Sequence, residues 1–229
     1  MRATDGTITT FMVSGAFTTM ALSINQGGVV VGWYNDGGGP YHGFMRAADG
    51  TITAIDVAGA GTGVGQGTFA MGINDAGVVA GYYTDSSGAT HGFVMAASGA
   101  VTTFDVPGAG QTLMASIGQT GVVTGNWVSA SGGGAQGFVR SADGTISTFD
   151  VSGATNNFPF SVNPEGAVAG YCYLDGQPVG FVRSVAGAIS ALQAPGAFGT
   201  YANSMNVTPS IAGYYFDSKH VAHGFVAIK

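Results

Sequence analysis

The chain has 229 residues, of which 45% are hydrophobic and only 8% charged, with a net charge of -6. This apolar content is sufficient for a core and excludes a disordered chain, whereas six basic residues are too few to neutralise a nucleic-acid backbone. No apolar run approaches the roughly 18 residues of a membrane-spanning helix, and the single cysteine, Cys172, excludes an intramolecular disulfide. We therefore expect a globular domain that neither binds nucleic acid nor inserts into a membrane.

One motif occurs five times between the N-terminus and the C-terminus. Each copy has a glycine that opens a Thr-Ile-Thr-like segment and a second glycine before an aromatic pair, with an aliphatic or Met residue eight positions earlier. The first glycines are Gly6, Gly50, Gly99, Gly144 and Gly187, and the second are Gly32, Gly81, Gly125, Gly170 and Gly213. A repeat that recurs every 43 to 49 residues indicates a repeat architecture.

The second copy predicts four short strands most clearly. Its apolar runs cover 69–74, 78–83, 91–96 and 101–106, and the second of these is β-branched and then aromatic. Asn and Gly residues after the first and third runs predict tight turns, and a polar loop at 84–90 separates the second run from the third. Four antiparallel strands in about 45 residues are typical of one propeller blade.

The two ends of the chain carry complementary parts of the motif. The chain begins with a fourth-strand segment and ends with a third-strand segment, so pairing them completes one more blade and removes an open sheet edge. The sequence therefore predicts an all-β, five-bladed β-propeller of four antiparallel strands per blade, in which the N-terminal strand closes the last blade. The blades cover about 20–57, 69–106, 113–151, 158–193, and 201–228 plus 7–13, within one domain at 1–229. A solenoid of five stacked repeats is the alternative.

The repeat resembles a known family. The motif at 103–109 (Thr-Phe-Asp-Val-Pro-Gly-Ala), the motif at 72–83 and the His-Gly-Phe at 91–93 are similar to bacterial extracellular HAF repeats. The blade layout resembles that of five-bladed propeller lectins. The resemblance implies a secreted or periplasmic repeat scaffold, without a signal peptide in this chain, and it supplies no catalytic residue set. The third copy departs from the motif with Gly118 for Asn and Gln136 for His, and the fourth has Val179 in place of His.

Antiparallel connections place the loops between second and third strands, together with the links between blades, at one end of the molecule, which we call the top face. The tight turns then lie at the opposite end, the bottom face. Asp and His flank the same top loop in three copies, which are neighbours in a closed ring, and aromatic residues lie beside them. Such groups suit a carbohydrate or another small polar ligand. The predicted ligand-binding residues are Trp33, Tyr34, Asp36, His42, Tyr83, Asp85, His91, Trp127, Tyr215, Asp217 and His223.

The leading hypothesis is a non-catalytic, lectin-like binding scaffold. The alternative is a hydrolase, lyase or isomerase with one site near the propeller axis, and the third hypothesis is a structural or protein-interaction propeller. The catalytic candidates for the enzyme are Asp36, His42, Asp85, His91, Asp217 and His223. An Asp–His pair can also serve only to fix its loop, and Asp56, Asp105 and Asp150 are expected to be structural.

Other catalytic patterns are scarce. Glu165 is the only glutamate, so no glutamate pair for glycoside hydrolysis exists, and no Gly-x-Ser-x-Gly elbow is present. His220 and His223 are three residues apart, which is weak evidence for a metal site. Cys172 is expected to pack as a small hydrophobic residue. We expect a monomer with neither a cofactor nor a bound metal.

Overall fold

The computed structural model describes residues 6, 8–208 and 210–228. Within this part of the chain there is no helix, and nineteen strands follow one another in five antiparallel groups. In particular, no helix long and apolar enough to cross a membrane occurs among the described residues. The predicted all-β class is therefore confirmed.

The five groups are called units 1 to 5 below. Unit 1 contains β1 (Thr18–Ile24), β2 (Val30–Asn35), β3 (Tyr41–Arg46) and β4 (Ile52–Ile55). Unit 2 contains β5 (Gly67–Ile73), β6 (Val79–Thr84), β7 (Thr90–Met95) and β8 (Val101–Phe104). Unit 3 contains β9 (Ala109–Ile117), β10 (Val123–Ser129), β11 (Gln136–Arg140) and β12 (Ile146–Phe149). Unit 4 contains β13 (Ala154–Val162), β14 (Val168–Leu174), β15 (Gln177–Arg183) and β16 (Ile189–Leu192), and unit 5 contains β17 (Gly199–Met205), β18 (Ile211–Phe216) and β19 (Ala222–Ala227).

The tight turns at the bottom face have a clear local cause. After the first strand of unit 2, Oδ1 of Asn74 accepts a hydrogen bond from the backbone N–H of Val78, and Gly77 follows with a φ of 77°. After the third strand, Gly99 has a φ of 88°. Both glycines adopt the left-handed conformation that residues with a Cβ rarely enter. The Asn and Gly positions of the repeat therefore specify where each strand ends.

A bulge in the first strand explains the glycine that precedes each aromatic pair. The pairing of β5 with β6 shifts register between Ala70 and Gly72. This shift brings the carbonyl oxygen of Phe69 so close to Gly81 that a Cβ there would overlap it, and the ring of Phe93 limits the same space. The corresponding glycines of the other units meet the same obstruction: Gly32, Gly125, Gly170 and Gly213.

The core lies between neighbouring units rather than inside one of them. Four clusters of buried apolar residues fill the successive interfaces of units 1 and 2, 2 and 3, 3 and 4, and 4 and 5. Phe44, Phe93, Phe138 and Phe181, all on third strands, are fully buried. Burying such a side chain stabilises the fold by about 1.5–3 kcal/mol, so each unit depends on its neighbours for stability.

Each link between units has a backbone N–H that donates to a side chain on the first strand of the next unit, and two of the four links add a contact between phenylalanine rings. The N–H of Val106 donates to the hydroxyl of Thr112 at 3.2 Å. The ring of Phe104, at the end of the fourth strand, packs edge-on against Phe138 of the next unit, with the ring centroids 6.0 Å apart. Phe149 and Phe181 form the equivalent pair between units 3 and 4, at 5.9 Å. The guanidinium of Arg140 lies over the ring of Phe104 at 4.9 Å.

The N-terminal segment makes these contacts with unit 1. Val13 donates its N–H to the hydroxyl of Thr19 at 3.1 Å, the ring of Phe11 packs edge-on against Phe44 at 5.9 Å, and Arg46 lies over Phe11 at 5.0 Å. Residues 8–13 thus make with unit 1 the contacts that the fourth strand and link of unit 2 make with unit 3.

The predicted closing strand at 7–13 is not a regular strand. Thr7 lies outside the described residues, Ile8 forms an isolated bridge, and 9–13 have no strand assignment. Single parallel residue pairs join units 1, 2 and 3 at the top face, so β1 to β12 form one mixed sheet, while units 4 and 5 are separate sheets. No strand ladder among the described residues joins unit 5 to unit 1.

The faces that would meet between unit 5 and unit 1 are exposed. Ile24 is 53% exposed, whereas its counterparts Ile73 and Met205 are 5% and 7% exposed. In unit 5 the space above Gly224 is open, whereas the equivalent Gly92 and Gly137 lie against the rings of fourth-strand phenylalanines. We call this place, between unit 5 and unit 1, the seam.

Candidate functional site

The polar group in unit 2 is centred on His91, at the top of β7. Its ring stacks on Tyr83 of the neighbouring strand, with the centroids 4.9 Å apart, because these residues are direct partners in the ladder of β6 and β7. Nδ1 lies 3.0 Å from both carboxylate oxygens of Asp105, and Nε2 lies 3.4 Å from Asp85. Two carboxylates and an aromatic ring therefore hold one imidazole.

Unit 1 has the same arrangement with one change. His42 stacks on Tyr34 at 5.0 Å, and its Nδ1 lies 2.7 Å from the carboxylate of Asp56. The predicted pairing of His42 with Asp36 across the top loop is wrong, because Asp36 accepts hydrogen bonds from the N–H groups of Gly38 and Gly39 instead. Nε2 of His42 has no hydrogen-bond partner in the described part of the chain.

Unit 5 retains the predicted pair across its loop. His223 lies 3.1 Å from Asp217 through Nε2 and stacks on Tyr215 at 5.0 Å. No fourth-strand carboxylate accompanies it among the described residues, and its side chain is 41% exposed, compared with 25% for His91. The cluster in unit 5 is therefore the least enclosed of the three. We refer to the three groups as the Tyr–His–Asp clusters.

Units 3 and 4 lack such a cluster. In unit 3, Trp127 is the ladder partner of Gln136, and Asp150 accepts a hydrogen bond from the side-chain amide of Asn157. In unit 4 the same positions carry Cys172 and Val179. Trp127 packs against the core between units 2 and 3, and Trp33 of unit 1 packs edge-on against Tyr41 and Phe69. Neither tryptophan belongs to a Tyr–His–Asp cluster.

The clusters shift the pKa values of their members. The pKa of Asp85 is lowered to about 2, chiefly because the hydroxyl of Ser87 donates to it. Burial alone would lower the pKa of His91, but the hydrogen bonds and negative charge of Asp105 and Asp85 outweigh it, so this pKa is raised. The pKa of Asp217 is lowered, first by the N–H of Val221 and then by His223. Both aspartates are therefore ionised at neutral pH.

The structure does not bring the three clusters together. First strands of successive units contact one another, whereas the histidines lie on third strands. In the described residues, no hydrogen bond, ion pair or ring contact joins one cluster to another. The described chain also has no group of three or more His, Cys, Asp or Glu residues that could hold a metal ion, and His220 packs against Phe198.

Sequence reasoning missed the partners Asp56 and Asp105. The register of the third and fourth strands shows why these aspartates reach the histidines. Gly43 pairs with Ile55, and Gly92 pairs with Phe104. The next position outward on each strand then places His42 opposite Asp56 and His91 opposite Asp105. Unit 4, which lacks the histidine, has Gln193 at the equivalent position.

Two grooves lie at the opposite end of the molecule. A groove of about 410 Å³ opens on the bottom face between units 2 and 3, next to Asn74 and Arg140. A groove of about 360 Å³ opens between units 4 and 5, next to Asn163 and Glu165. The Tyr–His–Asp clusters line neither of these grooves.

The fold is similar to that of several solved β-propeller proteins. A putative TolB from Agrobacterium tumefaciens aligns with a TM-score of 0.63 and 12% identity, over 91% of this chain and 76% of that chain. Virginiamycin B lyase from Staphylococcus aureus aligns with a TM-score of 0.54 and 13% identity, over 90% and 69%. A triple arginine mutant of AofleA from Arthrobotrys oligospora gives 0.53 and 14%, over 90% and 68%. At these identities the similarity establishes the fold alone.

Comparison of the sequence with known proteins does not assign the chain to a family. No family model matches the chain, and no curated protein matches it either. The chain therefore has a β-propeller-like fold of repeated antiparallel strands, and the resemblance to HAF repeats stays a prediction.

Proposed function

We propose that this protein is a non-catalytic β-propeller scaffold that binds carbohydrate, or another small polar ligand, at its Tyr–His–Asp clusters. The observation that carries the proposal is the shared geometry of His42 and His91. Each imidazole is stacked on a tyrosine and held at Nδ1 by a fourth-strand carboxylate. A fixed imidazole beside a carboxylate offers both a donor and an acceptor to neighbouring hydroxyl groups of a sugar.

The accessible atoms of the clusters fit this role. Nδ1 of His42 is held by Asp56, and its Nε2 is used by no described residue, so this nitrogen can form a hydrogen bond with a ligand. The carboxylate side chains of Asp56 and Asp105 are about half exposed, at 55% and 50%. Their outer lone pairs can therefore accept hydrogen bonds from ligand hydroxyls while each side chain still orients its histidine.

Repetition favours binding over catalysis. A catalytic group is needed once in a molecule, whereas the same arrangement in several units suits a ligand that is bound at several equivalent places. Separate weak sites on one scaffold gain affinity when they bind one multivalent ligand. The lack of any described contact between one cluster and another also disfavours the alternative of a single Asp- and His-lined active site near the axis.

The test begins with a glycan array, followed by calorimetric titration of the wild type with the sugar that binds best. His42→Ala, His91→Ala and His223→Ala should each remove part of the binding capacity and leave the affinity of the remaining sites unchanged. Gln136→Ala is the matched control, because Gln136 occupies the same position in unit 3. Complete loss of binding through one histidine would indicate a single site, and an array without any binding would contradict the carbohydrate proposal.

We further propose that the five units close into a five-bladed ring, with residues 8–13 as the fourth strand of unit 5. The contacts of Phe11 with Phe44 and of Val13 with Thr19 support this, because the fourth strand and link of unit 2 make the same ring contact and hydrogen bond with unit 3. The apolar faces at the seam supply the reason for closure, since they would be buried by it. We propose that the closed ring is monomeric.

The proposed setting is outside the cytoplasm, in the periplasm or the medium. Its support is the likeness of the motifs at 72–83 and 103–109 to extracellular HAF repeats, together with the low charged fraction of 8%. Fractionation of the natural host, followed by immunodetection of the protein in each fraction, tests this location.

A further inference from the structure

The groove between units 4 and 5 has the properties of a ligand site, and it is independent of the Tyr–His–Asp clusters. It lies on the bottom face, and its volume of about 360 Å³ falls within the usual range for small-molecule sites. Apolar side chains from both units form its walls, among them Val182, Leu192 and Ile211. Ile211 is 4% exposed, so this part of the wall is well enclosed.

Asn163 is the unusual residue of this groove. Its Oδ1 accepts hydrogen bonds from the N–H groups of Glu165 and Ala167, at 3.1 and 2.9 Å. The residue as a whole is only 1% exposed. Its Nδ2 is buried and has no hydrogen-bond partner among the described residues. A buried donor without a partner is costly and rare in native proteins.

The equivalent asparagines of the repeat show what this donor normally does. Nδ2 of Asn25 donates to the carbonyl of Asn74 in the next unit at 3.2 Å, and Nδ2 of Asn74 donates to the carbonyl of Gly118 at 3.5 Å. Asn163 makes the same turn as these two residues, but its amide does not reach unit 5. Its donor is therefore left without a partner, in a residue that lines the groove.

The other groove on the bottom face, between units 2 and 3, has no unpaired asparagine amide. Between units 2 and 3 the amide of Asn74 is already used, and Arg140 occupies part of the lining. Nε of Arg140 is also buried without a partner, but Arg46 and Arg183 repeat this feature, and all three guanidinium groups lie over a phenylalanine ring. The unpaired Nε thus belongs to the packing of the repeat, whereas the unpaired amide of Asn163 departs from it.

We propose that the groove between units 4 and 5 binds a small amphipathic molecule through a carbonyl or hydroxyl oxygen that accepts a hydrogen bond from Nδ2 of Asn163. The apolar part of the ligand packs against Val182, Leu192 and Ile211. Ser184 and Ser190 lie on the lining as well and offer hydroxyl groups to the polar end. Glu165 is an exposed carboxylate at the same lining, so the site disfavours anionic ligands.

The test uses hexanamide, which combines a carbonyl acceptor with a short alkyl chain, and follows the protein by NMR. Addition of hexanamide should shift the side-chain amide signals of Asn163 and the methyl signals of Leu192 and Ile211. Asn163→Asp retains the Oδ1 acceptor of the turn and removes the donor, so binding should weaken by about tenfold or more. Asn74→Asp, at the equivalent position in unit 2, should leave hexanamide binding unchanged.

A second variant separates loss of the site from loss of the fold. Ser190 lies on the exposed strand β16, so Ser190→Trp should fill the groove and abolish binding without lowering the melting temperature, whereas Ser147→Trp in unit 3 should have no effect on binding. Failure of hexanamide to bind at millimolar concentration would overturn the proposal. So would equal binding by the wild type, Asn163→Asp and Ser190→Trp. Neither result bears on sugar binding at the top face.

Discussion

Nδ1 of His91 lies 3.0 Å from both carboxylate oxygens of Asp105, although the two residues are 14 positions apart in the sequence. They meet because the third and fourth strands of unit 2 are paired in register, with Gly92 opposite Phe104. The carboxylate orients the imidazole and also stabilises its protonated form. This pairing makes the charge of His91 dependent on the fourth strand.

The first prediction concerns the titration of His91. Its pKa is raised in the folded protein, so its contribution to stability is fully present below the unfolded value, near 6.5. That contribution is lost as the pH rises through the folded pKa. An NMR titration of the imidazole should give a pKa above 6.5, and Asp105→Asn should lower it. A wild-type value at or below 6.5 would contradict the role assigned to Asp105.

The second prediction concerns the glycine at the bulge. Gly81→Ala places a Cβ against the carbonyl of Phe69 and the ring of Phe93, so we expect a loss of about 3 kcal/mol in the free energy of unfolding. Gly88→Ala is the comparison, since its site is open and only its φ of 88° is unfavourable, at a cost of about 1 kcal/mol. Urea denaturation measures both, and equal losses would show that close approach is not what requires Gly81.

The third prediction tests closure of the ring. Gly92 lies directly against the ring of Phe104, and in a closed ring Phe11 covers Gly224 in the same way. Gly224→Val should then lower the melting temperature about as much as Gly92→Val does. In an open array, the valine at position 224 meets empty space and leaves the melting temperature unchanged. Thermal denaturation followed by circular dichroism distinguishes the two outcomes.

The fourth prediction concerns Cys172. This thiol is fully buried, and burial raises its pKa to about 11. Because the thiolate is the reactive form, iodoacetamide at pH 8 should leave the folded protein unlabelled. In urea the same reagent should alkylate Cys172 completely, as measured by mass spectrometry. Rapid labelling of the folded protein would show that this part of unit 4 opens readily.

Much of the fold could be predicted from sequence because the turns and strands of the repeat depend on residues that are close together in the chain. Turns that need glycine, and strands that need β-branched and aromatic residues, recur at fixed spacing. In unit 2 the predicted runs 78–83 and 91–96 each begin and end within one residue of β6 (Val79–Thr84) and β7 (Thr90–Met95). The regular spacing, repeated in five copies, allowed each prediction to be checked against the others.

The candidate site was harder to predict because its contacts are not local. Asp36 is close to His42 in sequence, but three glycines follow it, and the N–H groups of two of them, Gly38 and Gly39, donate to its carboxylate instead. The open amide of Asn163 could not be predicted at all, since the same residue has a partner in units 1 and 2. Its lack of a partner depends on how unit 5 packs, which the motif does not encode.

The seam gives the three histidines an unequal arrangement. His42 and His91 are in adjacent units at one end of the chain, and His223 is in the unit at the other end. In a closed ring, two sugar heads joined by a spacer would bridge His223 and His42 as readily as His42 and His91. In an open array only the second pair would be within reach of a short spacer. The affinities of a series of such ligands with spacers of different lengths would therefore report the distance between the two ends of the protein.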